Sequence, residues 1–171
     1  MSVERASRRV LGIDPGLTIT GYGCIEGRAD APRLVEAGVF RLVRGSAVRG
    51  PIPQRLAELD RDFRELLDRL RPDVIAIESL FAHYKHPATA ILMGHARGVL
   101  MLAAHQTGAT LVELKPNMVK NALVGHGHAG KRQVQTAVRD VFGLAEAPKP
   151  PDMADALAIA LCAAHRLDLD A

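Results

Sequence analysis

One stretch near the amino terminus, Arg9–Tyr22, constrains the fold more than any other part of the chain. Its apolar run, Val10–Ile13, is typical of a buried strand, and the run ends in a carboxylate, Asp14, with Pro15 and Gly16 directly behind it. A strand that carries an acid into a tight turn places that acid at a sheet edge or in a cleft. Because an unpaired buried carboxylate is costly, we expect Asp14 to be paired, protonated or bound to a metal ion.

The hydrophobic periodicity predicts three strands, a helix, a strand, a helix, a strand and three helices, in that order. The predicted strands span 9–14, 20–26, 34–42, 73–78 and 110–114, and the predicted helices span 54–70, 88–106, 116–123, 131–142 and 152–167. Short turns between the first three strands indicate an antiparallel meander, and the helix before the fourth strand implies a crossover to a parallel neighbour. The sequence therefore predicts an α/β fold, a mixed five-stranded sheet with helices on both faces.

The length of 171 residues fits one domain with a substantial core, which we place at residues 9–168 behind a flexible polar tail at residues 1–8. No apolar signal-peptide region follows the tail, and no uninterrupted apolar stretch reaches the roughly 18 residues that span a membrane. We therefore expect a cytoplasmic protein without a membrane partner. Cys24 and Cys162 lie in apolar runs without metal-binding or redox spacing, which predicts buried free thiols.

Acidic residues are distributed unevenly along the chain. Twelve lie in residues 1–78, but Glu113 is the only one from Ser79 to Arg139. The same span contains seven lysines and arginines and six of the seven histidines: Lys85, Arg97, Lys115, Lys120, Lys131, Arg132 and Arg139, with His83, His86, His95, His105, His126 and His128. This composition favours a surface that faces an anion, although solvated helix faces on a mildly basic protein would give it too.

The last predicted helix carries two acids in its first turn, Asp152 and Asp155, which share one face because they lie three residues apart. Capping of the helix amino terminus explains one of them and is compatible with a further role. Capping does not explain why Asp14 and Glu78 also end buried strands. If the first and fourth strands are adjacent and parallel, both carboxylates emerge at one sheet edge, and a helix packed across that edge adds the other two.

Four carboxylates without cationic partners in their own segments repel one another, and a divalent metal ion removes that repulsion. Oxygen-only ligands favour Mg²⁺ or Mn²⁺ over zinc. Two such ions about 4 Å apart activate a water molecule and stabilise the leaving oxygen in phosphodiester hydrolysis. Because a polyanionic substrate would match the acid-poor span, the pattern predicts a nuclease.

Five motifs, in this order, resemble the RuvC family of Holliday-junction resolvases, which are crossover junction endodeoxyribonucleases with an RNase H-like fold. They are GIDPGLTITGYG at 12–23, IAIESLF at 75–81, GHARGV at 94–99, VKNALVGHGHAGKRQVQ at 119–135 and PDMADALAIALCAAH at 151–165. The resemblance covers nearly the whole chain. It implies a structure-selective enzyme that cuts two strands of like polarity symmetrically, leaving nicks that ligase can seal, in recombination and DNA repair.

The resemblance also implies roles for individual residues. Four acids match the catalytic, metal-binding positions of the family, and they would hold two Mg²⁺ ions, with Mn²⁺ as a substitute: Asp14, Glu78, Asp152 and Asp155. Some members of the family carry histidine at the position of Asp152, so we expect an all-carboxylate site here. We hypothesise that Asp14 would hold both ions, with Glu78 on one and Asp152 and Asp155 on the other. The ions would activate a water molecule for hydrolysis that leaves a 5′-phosphate and a 3′-hydroxyl.

The predicted DNA contacts follow from the same resemblance. Lys120 and Lys131 match basic residues that hold the scissile-strand phosphates and support catalysis. Phe81 matches an aromatic residue that stacks at the branch point, and a core phenylalanine under the loop is the alternative interpretation. We expect further DNA contacts from four other side chains: Tyr84, Lys85, Lys115 and Arg132.

The resemblance implies partners as well as a substrate. The family acts on a four-way DNA junction as a homodimer, beside the RuvA and RuvB branch-migration proteins. The predicted helix at 88–106 is rich in small residues and matches a dimer-interface element. Two-fold symmetry suits a four-way junction, because it presents two active sites to two equivalent strands.

Three other functions are compatible with parts of the pattern. Asp14–Thr18 fits the D-x-G-x-T phosphate loop of actin-like and sugar-kinase-like ATPases, but those proteins need two domains. A different RNase H-like nuclease, acting on RNA, fits the acids but gives less reason for Lys120, Lys131 and Phe81 together. A junction-binding protein without activity would be hindered by four acids near phosphate.

Overall fold

Ten elements form in the described part of the chain, in the order that the hydrophobic pattern predicts. The computed structural model describes residues 8–42, 50–79, 87–125, 127 and 129–169, with side chains as far as residue 168. The strands are β1 (Arg9–Asp14), β2 (Ile19–Arg28), β3 (Ala31–Arg41), β4 (Val74–Glu78) and β5 (Thr110–Leu114). The helices are α1 (Ile52–Leu70), α2 (Pro87–Gln106), α3 (Pro116–Val124), α4 (Lys131–Val141) and α5 (Pro151–Leu169). All but the last residue of the predicted tail at 1–8 lies outside the described residues.

The five strands form one mixed sheet in the order β3-β2-β1-β4-β5. β1 pairs antiparallel with β2, and β2 pairs antiparallel with β3, which confirms the meander. After the α1 crossover, β4 pairs parallel with β1, and β5 pairs parallel with β4. Ile13 is opposite Ile77 in this register, so the residues that follow them, Asp14 and Glu78, leave the sheet side by side at its carboxyl edge.

Helices cover both faces of the sheet, as predicted. Because successive strand residues point to opposite faces, Leu11 and Ile13 pack with α1 and α2, whereas Val10 packs with α5. The apolar side chains of α1 that are buried fall at helical spacing: Leu59, Phe63, Leu66, Leu67 and Leu70. α5 is buried almost all round, and α3 and α4 pack against it from outside.

The β2–β3 hairpin is longer than the sequence predicts. Residues 27–32 are expected to form a turn, but Gly27 is opposite Pro32 and Arg28 is opposite Ala31 in the ladder. The turn proper is reduced to Ala29 and Asp30. The polar and Pro-containing composition of this segment is therefore compatible with strand, because backbone hydrogen bonds rather than apolar side chains continue the pairing.

Helix α2 is apolar on more than its buried side. Its buried residues are Ala96, Leu100, Ala103 and Ala104, while Ile91 and Leu102 are 61% and 57% exposed. Among the described helices, it is the one that is long and apolar enough to cross a membrane, judged by length and composition alone. The sequence pattern does not single it out, because polar residues interrupt its apolar run. Cys24 and Cys162 are both buried and free, which confirms the prediction for the thiols.

Candidate active site

The turn that follows Asp14 is held by side chains from two other elements. The fully buried Thr20 donates a hydrogen bond from Oγ1 to the carbonyl oxygen of Gly16 at 2.6 Å and accepts one from its amide at 3.1 Å. Arg55 of α1 is 5% exposed and donates from Nε to the carbonyl oxygen of Leu17 at 3.0 Å. The turn is thus held from both sides, which fixes the backbone where β1 ends at Asp14.

Glu78 is held at the end of β4 by contacts to β5 and α2. The amide of Ser79 donates to the carbonyl oxygen of Leu114 at 2.8 Å, and the Ser79 hydroxyl reaches the same oxygen at 3.2 Å. Arg97 of α2 donates from Nε to the carbonyl oxygen of Glu78 at 3.1 Å. These bonds satisfy the last peptide groups of the strand, which have no further ladder partner.

Helix α5 reaches the two strand ends because glycines let it lie directly on β1 and β2. A Cβ atom on Gly12 would be 2.1 Å from the carbonyl oxygen of Ala156, and one on Gly21 would be 2.1 Å from that of Asp152. No side chain larger than hydrogen fits at either position. This close approach places the amino-terminal part of α5 beside Asp14, as the sequence predicts. The helix begins at Pro151, so Asp152 lies in its first turn but Asp155 lies beyond it, although the sequence predicts both acids in the first turn.

The acids that meet here are electrostatically strained. Burial raises the pKa of Asp14 to about 8, and the negative charges of Asp155, Glu78 and Asp152 act in the same direction. Burial also raises the pKa of Glu78, with Asp155 adding to the effect. Burial likewise raises the pKa of Asp155, although Lys131 opposes that shift. Asp155 lies beyond the first turn of α5, where the free backbone amides are, so capping does not account for it.

A cleft of about 270 Å³ brings three of the four predicted acids together with both predicted lysines. Its lining comprises Asp14, Glu78, Pro116, Val119, Lys120, Lys131, Val134, Asp155, Ala158 and Ile159. The charge of Lys120 opposes the rise in the pKa of Glu78, and that of Lys131 opposes the rise in the pKa of Asp14, so each ammonium group acts on an acid of the cleft. Asp152 is not part of the lining, but its charge acts on Asp14 and Asp155 from the start of α5.

The donor set of this cleft fits a hard divalent cation. Its acids supply only oxygen ligands, which suit Mg²⁺ or Mn²⁺. Burial and the neighbouring acids raise the pKa of Asp14, and a bound cation would stabilise its charged form against both effects. Among the described residues, no group of three or more acidic, histidine or cysteine side chains is arranged to coordinate a metal ion directly. The cleft therefore matches such a cation in the chemistry of its ligands and not in their coordination geometry.

Two of the remaining predicted DNA contacts, Lys115 and Arg132, are not part of the cleft lining. Lys115 precedes α3, and Arg132 lies beside Lys131 on α4, where it lines a separate shallow hollow. Both side chains are exposed, so they are available to a ligand. Three predicted residues, Phe81, Tyr84 and Lys85, lie outside the described residues.

Two features of the site are missing from the sequence prediction. The sequence places Arg97 among the cations of an anion-facing surface, but its side chain is 14% exposed and is paired with Glu113 on β5. No local pattern links these two residues, because they lie on different elements. The sequence does contain a signal for the glycine contacts, because a glycine inside a buried strand, such as Gly12, indicates that another backbone approaches closely there.

Known proteins resemble this chain over nearly its full length. The family described as crossover junction endodeoxyribonuclease RuvC matches residues 10–163. The protein of that description from Chloroflexus aggregans is 45% identical over 157 residues, which cover 92% of this chain and 93% of the relative. Among solved structures, RuvC from Thermus thermophilus has a TM-score of 0.83 at 37% identity and covers 95% of this chain and 96% of its own.

Two further structures extend the comparison. Thermus thermophilus RuvC in complex with a Holliday junction substrate has a TM-score of 0.81 at 33% identity, and the match covers 95% of this chain and 96% of that one. The yeast mitochondrial resolvase Ydc2 has a TM-score of 0.70 at 18% identity, over 96% of this chain and 82% of its own, and shares the RNase H-like fold. The length of the family match and the identity to its members place the sequence unambiguously: the chain belongs to the RuvC family of crossover junction endodeoxyribonucleases.

Proposed function

We propose that this protein is a metal-dependent endodeoxyribonuclease that resolves Holliday junctions in DNA recombination and repair. One observation carries the proposal, the convergence of Asp14, Glu78 and Asp155 in a cleft that also contains Lys120 and Lys131. These acids come from β1, β4 and α5, so only the folded chain assembles them. Membership of the RuvC family supplies the reaction class, and the cleft supplies groups suited to it.

The acids and the lysines have different tasks in this proposal. The four acids would hold two Mg²⁺ ions, with Mn²⁺ as a substitute: Asp14, Glu78, Asp152 and Asp155. When bound, the ions supply the Lewis acidity that activates water and stabilises the leaving oxygen in phosphodiester hydrolysis. Lys120 and Lys131 bind the oxygens of the scissile phosphate and stabilise the negative charge that grows on it.

The substrate is a four-way junction, cut symmetrically in two strands of like polarity to leave ligatable nicks. A relative with 33% identity forms a complex with such a junction, which supports this choice. The acid-poor span agrees with it, because Lys120 and Lys131 both come from that span and both reach the cleft. Phe81 stacks on a base at the branch point, a contact worth about 1–3 kcal/mol per base.

Symmetric cutting requires two active sites, so we propose that the protein is a homodimer. The exposed apolar side of α2, which includes Ile91 and Leu102, is the surface proposed for the contact. Two-fold symmetry then presents one active site to each of two equivalent strands. The dimer would work in the cytoplasm, beside the RuvA and RuvB branch-migration proteins.

A synthetic four-way junction, compared with a linear duplex built from the same arms, tests the proposed function. The expected result is a pair of symmetric nicks in the junction alone, formed in Mg²⁺ or Mn²⁺ and absent in EDTA. Junction binding is measured in EDTA as the control that the substrate is recognised without metal. Tight binding with no metal-dependent nicking would contradict the assignment of the four acids.

A further inference from the structure

Arg97 is a cation of the acid-poor span that the proposed chemistry does not use. It belongs to α2, yet its side chain is only 14% exposed and points back to the sheet. It forms an ion pair with Glu113, the only acid between Ser79 and Arg139. Because the single acid of that span neutralises it, Arg97 does not belong to the surface available to an anion.

The second contact of Arg97 is to the active-site strand. Its Nε donates to the backbone carbonyl oxygen of Glu78 at 3.1 Å. Glu78 is the last residue of β4 and is opposite Leu114, the last residue of β5, so its carbonyl group lies where the parallel ladder ends. The guanidinium group thus joins three elements, α2, β4 and β5, at the residue whose carboxylate enters the cleft.

The planar guanidinium of arginine is suited to this position. It presents several donors in a fixed fork, so one nitrogen can bind the Glu78 carbonyl while another binds the Glu113 carboxylate. A bond to the backbone of Glu78 restricts rotation of the peptide plane and thereby the direction of the carboxylate. Hydrogen-bonded partners behind a metal ligand typically change metal affinity or activity by about 10–100-fold when they are mutated.

We propose that Arg97 is a positioning residue, which connects α2 to the end of β4 and holds Glu78 in the direction that the active site requires. This role rests on the proposed function, because it assigns Glu78 to metal binding. It also gives α2 a role beyond packing, since its outer side is apolar and its inner side contacts the backbone of a site residue.

Binding of Mn²⁺ to the metal-free protein, followed by calorimetry, tests this role without relying on cleavage. Arg97→Gln should weaken Mn²⁺ binding by about 10–100-fold, while the dissociation constant for a four-way junction in EDTA stays unchanged. Glu113→Gln leaves the bond from Arg97 to the Glu78 carbonyl in place, so it should weaken Mn²⁺ binding less than Arg97→Gln does.

Arg64 offers a matched control. It is an arginine of α1 that is bonded to Asp60 and to Gln106 of α2, so it also joins two elements, but away from β4. Arg64→Gln should leave Mn²⁺ binding unchanged. If Arg97→Gln does not fold, Arg97→Lys replaces it, because lysine keeps the charge beside Glu113 but lacks the fork that reaches both partners.

The outcomes separate this role from the proposed function. Wild-type protein that binds Mn²⁺ and cuts junctions, together with an Arg97→Gln or Arg97→Lys variant that binds Mn²⁺ equally well, would overturn the role of Arg97 alone. If Arg97→Gln and Arg64→Gln weakened Mn²⁺ binding equally, a general loss of packing would explain the effect, and the role of Arg97 would again be overturned. Wild-type protein that neither binds Mn²⁺ nor cuts would overturn both proposals.

Discussion

Asp14 shows how one residue can be stabilised in position and destabilised in charge at the same time. Thr20 and Arg55 hold the turn that follows it, so the backbone that carries the carboxyl group is fixed beside the other acids. Burial and the charges of three other acids then raise its pKa to about 8. Groups with strongly shifted pKa values cluster at functional sites, and the proposed divalent cation would make use of this charge.

The first prediction concerns the removal of that charge. Asp14→Asn should lower metal-dependent junction cleavage by more than about 100-fold, because the amide is neutral and a poor ligand for Mg²⁺. The dissociation constant for the junction in EDTA should not increase, because Lys120 and Lys131 remain. Nicking assays and gel-shift titrations measure the two effects, and retained cleavage at saturating Mg²⁺ would contradict the assignment.

The second prediction is the pH dependence of stability without metal. Folding raises the pKa of Asp14 from 3.8 to about 8, so between these values the native state binds more protons than the unfolded state. The free energy of unfolding should therefore fall as the pH rises from about 4 to about 8. Urea unfolding in EDTA measures this slope.

The contribution of Asp14 is isolated by comparison with Asp14→Asn, which should reduce the slope. Glu78 and Asp155 contribute in the same direction, because burial raises both of their pKa values, so the slope should shrink without vanishing. Equal slopes for wild type and Asp14→Asn would show that Asp14 titrates normally.

Among the elements, α5 and the β1–β2 hairpin depend most closely on each other. Gly12 is opposite Gly23 in the ladder, and Asp14 is opposite Gly21, so the glycines form a patch on one side of the sheet. A Cβ on Gly23 would be 2.6 Å from the Leu157 side chain, so the patch continues along the helix. Without it, α5 would sit farther from the sheet and its acids farther from Asp14.

The third prediction tests that contact. Gly12→Ala should destabilise the protein by about 1–3 kcal/mol, because the new methyl group overlaps the backbone of α5 and forces the helix outward. Cleavage should fall further than stability alone explains, since Asp155 moves with the helix. Urea unfolding and nicking rates measure the two effects.

Gly50→Ala is the control for this prediction. A Cβ there would meet the Gln54 side chain at 3.4 Å, which is an ordinary contact with a flexible group. Stability and nicking should both stay close to wild type. If Gly12→Ala were as well tolerated as Gly50→Ala, the close seating of α5 would not be required for the site.

At the scale of the whole molecule, the sheet separates two tasks. The helices α3, α4 and α5 cover one face, and they supply Lys120, Lys131 and Asp155 to the cleft. The helices α1 and α2 cover the other face, and α2 leaves Ile91 and Leu102 exposed there. One side of the protein thus contributes the chemistry, and the other contributes the surface proposed for the second subunit.

The fourth prediction concerns that surface. Leu102→Glu should convert the proposed homodimer to a monomer, because a charge would replace an apolar side chain at the contact. Paired nicking of a junction should then be lost, while Asp14 and the other acids remain in place. Analytical ultracentrifugation measures the mass, and Thr136→Glu, at an exposed position of α4 on the other face of the sheet, serves as the control for the mass.

The outcome would also decide whether α2 carries the dimer. A Leu102→Glu protein with the same mass as wild type would place the contact elsewhere. A wild-type protein that is monomeric at working concentrations and still makes paired nicks would remove the need for a dimer in solution.

The sequence by itself determined the elements and the candidate acids. The apolar runs that end in Asp14 and Glu78, and the paired acids that open α5, are local patterns, and local periodicity reports which residues are buried. The predicted bounds of β1 and β5 agree with the structure to the residue, because polar or turn residues end both runs. The antiparallel meander and the parallel crossover also followed, because the connection length restricts the strand direction.

Only the tertiary structure decided which residues act together. Arg97 and Lys120 are both cations of the acid-poor span in the sequence. In the structure, Arg97 is neutralised by Glu113 of β5, whereas Lys120 lines the cleft. The glycine patch acquires its meaning only when α5 lies on it. The pKa of Asp14 is equally a property of the fold, because burial and the charges from β4 and α5 set it. Contacts between residues that are distant in sequence depend on how the elements pack, and a local sequence pattern does not specify that packing.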